Sequence, residues 1–212
     1  DAKRHIPHFS YVEEIDVTAV EELRAQLNAE HADREHLTLL PFLARAIVNA
    51  AAAHPQVNAR YDDEAGVLHR HAGVHLGVAT QTEGGLMVPV VRHAETFDLW
   101  QSAAELRRLT EAARAGKAAR GELGGSTMTL TSLGRLGGIA ATPVINYPEV
   151  AIVGVNRIVE RPVVVAGGQI AVRKMMNLSS SFDHRIVDGW DAASFIQRIK
   201  QLLEQPALLF IS

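Results

Sequence analysis

The chain has 212 residues, 47% of them hydrophobic and 21% charged, with 21 Lys and Arg against 24 Asp and Glu. That length can bury a sizeable core, and a net charge of −3 leaves no electrostatic footprint for nucleic acid or an anionic membrane. No cysteine is present, which excludes disulfides, thiolate zinc sites and an acyl-cysteine intermediate, so any thiol in the chemistry must arrive on a substrate.

Residues 6–16, IPHFSYVEEID, suit a strand. Thr18 then opens T-A-V-E, a capping box with Glu21, and Val20, Leu23 and Leu27 continue it as an amphipathic helix. A second helix is expected from Thr38, with Pro41 in its first turn and a stop at Pro55. Its alanines suit close packing on a sheet. VLHRH, VHLGVAT and LMVPVVR read as short strands, separated by glycine turns such as Glu83-Gly84-Gly85. Residues 98–117 return to helix, with Leu99, Ala103, Leu106 and Leu109 on one face. STMTLT at 126–131 is a strand, 134–138 a glycine-rich loop, and AIVGV at 151–155 a buried strand. The stretch PVVVAGGQIAVRKMMNLSSSFD reads as a hairpin turning at Gly167-Gly168. A last helix is expected over 190–205, with Ala192, Phe195, Ile196, Ile199 and Leu203 inward. No apolar run is long enough to span a bilayer, and no signal or transit pattern is read at the start. These elements predict a single α/β domain over 1–212, a mixed sheet with packed helices.

SSSFDHRIVDGW at 179–190 carries the chemistry. His184 and Asp188 bracket a short turn after a buried strand, and Gly189 follows. A histidine in such a turn can be aimed into a cleft, where imidazole takes protons at neutral pH. Asp188 can fix the turn through backbone amides. The bland alternative is a surface histidine beside a helix-capping Asp.

DHRIVDG resembles the His-x-x-x-Asp-Gly signature of the dihydrolipoamide acyltransferases of 2-oxo acid dehydrogenase complexes, a signature shared with chloramphenicol acetyltransferase. IPHFSYVEEIDVT, LTLLPFLARAI, GLMVPVVR, TMTLTSLGRLGG, TPVINYPEVAIVGVNR and NLSSSFDHRIVDG all resemble blocks of the acyltransferase family, in order, over nearly the whole chain. The wording around RPVVVAGGQIAVRKMMNLSSSFDHR is most similar to bacterial branched-chain members. The resemblance implies a chloramphenicol acetyltransferase-like two-layer sandwich. It also implies acyl transfer between dihydrolipoamide and coenzyme A, both as substrates, with His184 as general base and no acyl-enzyme. The oxyanion donor would be the hydroxyl of Thr131. Strand alternation turns Ser132 to the opposite face. Asp188 would order the active-site turn, since some members carry Asn there, and Asn146 would lie near the coenzyme A thiol.

For partners, the resemblance implies a homotrimer that assembles into a cage, eight trimers at the corners of a cube in branched-chain members. The apolar 206–211 segment is the expected anchor between trimers. Lipoyl and partner-binding domains, absent from this chain, would bring the lipoyl group and the decarboxylase and dihydrolipoamide dehydrogenase components. A bacterial cytoplasmic location is expected, with no membrane or nucleic-acid partner. An acetyl- or succinyl-specific relative, a drug O-acetyltransferase of the same fold and a non-catalytic scaffold remain the alternatives.

Other motifs carry less. Gly84, Gly85 and LMVPV resemble a strand lining the lipoyl side of the channel, and a plain buried strand explains them equally. His69, His71 and His75 lack an acidic or thiol partner at convincing spacing, so no metal site is expected. GGSTM does not match G-x-S-x-G, and SLGRLGGIA matches neither a P-loop nor a dinucleotide fingerprint.

Overall fold

The computed structural model describes residues 2–211, the side chain of Arg135 excepted. A short turn of helix, α1 (Ala2–His5), leads into strand β1 (His8–Asp16), and helices α2 (Thr18–Glu30) and α3 (Leu39–Ala53) follow. A small hairpin, β2 (Ala59–Asp62) and β3 (Val67–Arg70), precedes β4 (Leu76–Thr82), β5 (Gly85–Met87) and β6 (Val90–Val91). Helix α4 (Leu99–Arg114) leads to β7 (Met128–Ser132), β8 (Ala151–Val155), β9 (Val159–Val164), β10 (Ile170–Asp183) and α5 (Gly189–Glu204).

The main sheet runs in the order β1-β10-β8-β7-β4-β5, with β6 on β4 and β9 on β10, while β2 and β3 pair only with each other. β7 lies parallel to both β4 and β8, and the remaining pairs are antiparallel, so the sheet is mixed as expected. Helices α2 to α5 cover one face, joined by a core in which Phe42, Ile47, Leu106, Leu130, Val153, Phe182 and Phe195 are buried. Each such side chain contributes about 1.5–3 kcal/mol relative to exposure. The opposite face is largely polar. It buries Thr129, Ser179 and Ser181 beside a small apolar cluster of Ile6, Ile145 and Ile152. Gly154 sits where β8 crosses that face, and an added Cβ would lie 2.6 Å from the Ser179 carbonyl, so the close approach of β8 and β10 requires glycine.

Most boundaries follow the sequence reading, and three expectations are corrected. Thr18 does not cap α2: its hydroxyl accepts from the Lys174 backbone N–H at 2.8 Å, stitching the helix start to β10, while Glu21 is held by Arg24. The capping box falls instead at Asp98, which accepts from Gln101 N at 2.7 Å as Gln101 Oε1 accepts from Asp98 N. LMVPVVR is broken into β5 and β6, because Pro89 has no N–H for a ladder. The VLHRH strand stops at Arg70, leaving His71 beyond it. Gly167 and Gly168, with φ of 79° and 76°, do turn the β9–β10 hairpin, as its two positive-φ positions need.

The expected anchor at 206–211 divides in two. Leu209 is fully buried in the chain's own core, whereas Phe210 is 54% and Ile211 77% exposed. Among the described residues no helix is long and apolar enough to cross a membrane.

Candidate active site

His184 begins the turn between β10 and α5. Its backbone N–H donates to the Pro7 carbonyl at 3.1 Å, and its exposed ring rests on Phe9 with centroids 4.7 Å apart. One strand residue, Asp183, builds this turn. Its carbonyl accepts from Ile186 N at 3.0 Å and Val187 N at 2.9 Å. Its buried carboxylate accepts from the Arg185 backbone N–H at 3.0 Å and from the Arg185 guanidinium. Arg185 also pairs with Asp63 and lies 4.6 Å from the Tyr61 ring centre, which ties the turn to the β2–β3 hairpin. Hydrogen bonding to Asp183 above all, then to Asp63, raises the Arg185 pKa further and keeps the guanidinium charged.

Asp188 lies at the far end of the same turn. Its carboxylate accepts from Asp191 N at 2.8 Å as the N-cap of α5. It therefore fixes where the helix starts, which terminates the turn.

Thr131 sits near the end of β7, level with Gly154 of β8, on the face that also carries Thr129. Ser132 turns to the helix side, accepting from Gly134 N at 3.2 Å and lining a groove with Leu39, Leu40, Leu43 and Met176. The ladder also measures the spacing to His184. Thr131 is level with Gly154, Gly154 with Ser179, and His184 is five residues past Ser179. At about 3.3 Å per residue and about 4.8 Å per strand, that places the two residues roughly 19 Å apart within one chain.

Asn146 lies in the segment that paves the polar face between β7 and β8. Its side-chain amide donates to Glu149 Oε1 at 2.8 Å and lies 3.3 Å from Ser126 Oγ. Glu149 is 1% exposed and accepts also from the hydroxyls of Ser126 and Thr129. Burial pushes its pKa up to about 7, against the lowering by its three donors. Sequence reasoning missed Asp183, Arg185 and Glu149. The D-H-R string held a signal for the first two, which flank His184 two positions apart. None existed for Glu149, whose hydroxyl partners lie 23 and 20 residues away.

A cavity of about 500 Å³ opens beside the β2–β3 hairpin, lined by Arg60, Tyr61, His69, His71, Tyr147 and Pro148 together with Asp62 and Glu64. His69 and His71 thus face a cleft, while His75 packs edge-on against His93 at 4.6 Å. Burial lowers the pKa of both His71 and His75. Among the described residues no group of three or more His, Asp or Glu is placed to hold a metal ion.

The fold and this turn can be set beside known proteins. The family of 2-oxoacid dehydrogenases acyltransferase catalytic domains matches residues 1–211. The lipoamide acyltransferase component of the branched-chain alpha-keto acid dehydrogenase complex of Pseudomonas aeruginosa is 69% identical over all 212 residues, which cover 49% of that protein. A Staphylococcus aureus dihydrolipoyllysine-residue acetyltransferase component of the pyruvate dehydrogenase complex is 38% identical over the whole chain and 49% of its own length. The chain thus spans about half the length of these curated relatives. Among solved structures, Azotobacter vinelandii dihydrolipoamide acetyltransferase superposes with a TM-score of 0.94 at 35% identity, over 99% of this chain and 86% of that one. Chloramphenicol acetyltransferase shares the fold alone, with a TM-score of 0.59 at 15% identity over 94% and 88%. The chain belongs to the family of 2-oxoacid dehydrogenase acyltransferase catalytic domains.

Proposed function

We propose that this chain transfers a branched-chain acyl group between dihydrolipoamide and coenzyme A, at a site that two copies complete together. The observation that carries the shared site is the spacing of its two groups. His184 stands exposed on a turn locked by Asp183 and Arg185, and Thr131 lies roughly 19 Å away in the same chain, from strand spacings. A base and an oxyanion donor serving one carbonyl must both come within hydrogen-bond reach of the reacting atoms. A neighbouring copy brings Thr131 to His184.

The reaction needs no protein nucleophile. His184 takes the proton from the coenzyme A thiol, and the thiolate attacks the thioester carbonyl of acyl-dihydrolipoamide. The Thr131 hydroxyl donates to the tetrahedral oxyanion. Collapse breaks the old carbon–sulfur bond, and the departing dihydrolipoamide sulfur recovers the proton from His184. Asn146 serves through the segment it anchors, since its amide is engaged by Glu149. The serine, the histidine and the asparagine four positions after it whose catalytic role was examined in the Azotobacter enzyme support the same roles for Thr131, His184 and Asp188.

Branched-chain selectivity rests on the Pseudomonas relative, 69% identical against 38% for the Staphylococcus acetyltransferase. A trimeric unit built into a larger core is supported by the similarity to the cubic core of a pyruvate dehydrogenase complex, with a TM-score of 0.94 at 36% identity. A lipoyl group and the partner enzymes would come through domains outside residues 1–212.

Co-assembly tests the shared site. His184→Ala should lower turnover by at least about 100-fold, as for loss of a general base. Thr131→Val should cost about 100-fold or more, as for loss of an oxyanion donor. In hybrids made from equal amounts of both, a site is intact when its His chain is the Thr131 variant and its Thr chain the His184 variant. Those chances multiply to about a quarter of sites in a cyclic trimer. Activity of verified hybrids that stays at the mean of the two pure variants refutes the shared site.

A further inference from the structure

His8 opens β1 directly opposite Asp183, and the preceding residue, Pro7, accepts the backbone N–H of His184. Both of its ring nitrogens are committed. Nδ1 lies 2.9 Å from the Ile6 carbonyl, and Nε2 accepts from the Ile145 backbone N–H at 3.0 Å. A carbonyl oxygen can only accept and a backbone N–H can only donate. Nδ1 must therefore carry the proton and Nε2 must be bare. The arrangement exists for the neutral imidazole alone. Protonation puts a hydrogen on Nε2 facing the Ile145 N–H, two donors with no acceptor between them.

This contact joins two parts of the proposed site. On one side is the β1–β10 pair that ends at His184. On the other is the segment of residues 139–147 that carries Asn146, closed over Ile6, Ile145 and Ile152. Elsewhere that segment is tied by Asn177 to the Ile139 carbonyl and by Ser179 to Ala141 N, neither of which titrates, and by Asn146 to Glu149, which does. The charged groups around His8 are few. On β10 and its turn, Asp183 faces it with its charge matched by Arg185. In α1, Lys3, Arg4 and His5 precede it. Residues 139–147 contribute only the Tyr147 phenol, and Glu149 lies beyond them under Asn146.

We propose that His8 is a positioning residue: as a neutral imidazole it pins the 139–147 segment, and Asn146 with it, to the strands that present His184, and its protonation releases that end of the segment. The consequence for catalysis rests on the acyl-transfer reading above, whereas the release itself does not.

Amide exchange of the intact oligomer, read by mass spectrometry at pH 8.0 and 5.5 and corrected for intrinsic exchange, tests the release. Protection of the 139–147 peptide should fall about tenfold at the lower pH in the unsubstituted protein, as for loss of one hydrogen bond of about 1–1.5 kcal/mol. In His8→Gln the side-chain oxygen accepts from Ile145 N at either pH, and protection should stay within about twofold. Glu149 titrates in both proteins, so their difference isolates His8. His8→Ala should lose protection at both pH values. Equal pH responses in the unsubstituted protein and His8→Gln overturn the proposal. The kinetic arm follows kcat/KM for coenzyme A on the acid side. Two required neutral histidines give a logarithmic slope approaching 2, which His8→Gln should reduce to 1. A slope of 1 that vanishes in His8→Gln instead keeps the latch and overturns His184 as base. A slope unchanged by His8→Gln overturns the role of His8 in positioning the site.

Discussion

Replacing Glu149 by Gln should change how stability depends on pH, and the structure sets the size of the change. The carboxyl is 1% exposed, its donors are uncharged, and burial raises its pKa from 4.5 to about 7. The folded protein therefore holds a proton that the unfolded chain has already released at intermediate pH. For a raised pKa, the stabilisation is complete below about pH 4.5 and is lost as pH rises, with the loss finished just above pH 7. At about 1.4 kcal/mol per pH unit, this one group removes about 3 kcal/mol across that window. A glutamine presents the same shape and can accept from Asn146 and Ser126 while donating to Thr129, with no charge to bury. Urea midpoints at fixed protein concentration, taken each half unit from pH 5 to 8.5, check the difference. The stability of Glu149→Gln relative to the unsubstituted protein should rise steadily to about pH 7 and then level. Parallel curves would show that Glu149 is not carrying this burden. A variant that instead gains on acidification would reverse the sign, and the lowering by Arg60 and the three donors would then outweigh burial.

Two further outcomes follow from the family and the fold. Isobutyryl, isovaleryl and 2-methylbutyryl thioesters should be transferred with a kcat/KM about tenfold or more above acetyl and succinyl, the scale of discrimination an apolar pocket achieves per methylene; preference for acetyl or succinyl in an acyl-coenzyme A panel contradicts the branched-chain reading. The double change Phe210→Ser and Ile211→Ser should release trimers from the larger particle on light scattering at a stability cost within about 0.5 kcal/mol, because both side chains are exposed while buried Leu209 is kept; a particle of unchanged mass rules out this anchor. Deleting 207–212 would confound the two effects by removing Leu209 from the core.

Periodicity made the helices legible. Leu99, Ala103, Leu106 and Leu109 do face the core from α4, as do Phe195, Ile196 and Ile199 from α5. Where the reading failed, a distant partner outbid a local rule. Thr18 fits a capping box in sequence, but Lys174 claims its hydroxyl from 156 residues away. The site divides the same way. His184, Asp188 and the turn between them were visible as a string, because one short segment builds them. That Arg185 also ties this turn to the β2–β3 hairpin depends on Asp63, 122 residues away. The hold of Glu149 on Asn146 was hidden because burial, not composition, makes that carboxyl unusual.

In the proposed reaction one substrate thiol displaces another directly, and the chain has no cysteine to intervene. The protein then has two tasks, moving a proton between sulfurs and holding the oxyanion between them. Neither needs a reactive group of its own, and both need accuracy of placement. For the proposed roles the fold supplies fixed parts: the buried Asp183 carboxylate, paired with Arg185, beside His184, and the central parallel strand that carries Thr131. Their separation of roughly 19 Å in one chain, from strand spacings, is too great for both to reach one carbonyl within that chain. In the proposed reaction both thiols must be present at once, which is the demand a site shared between two copies would meet.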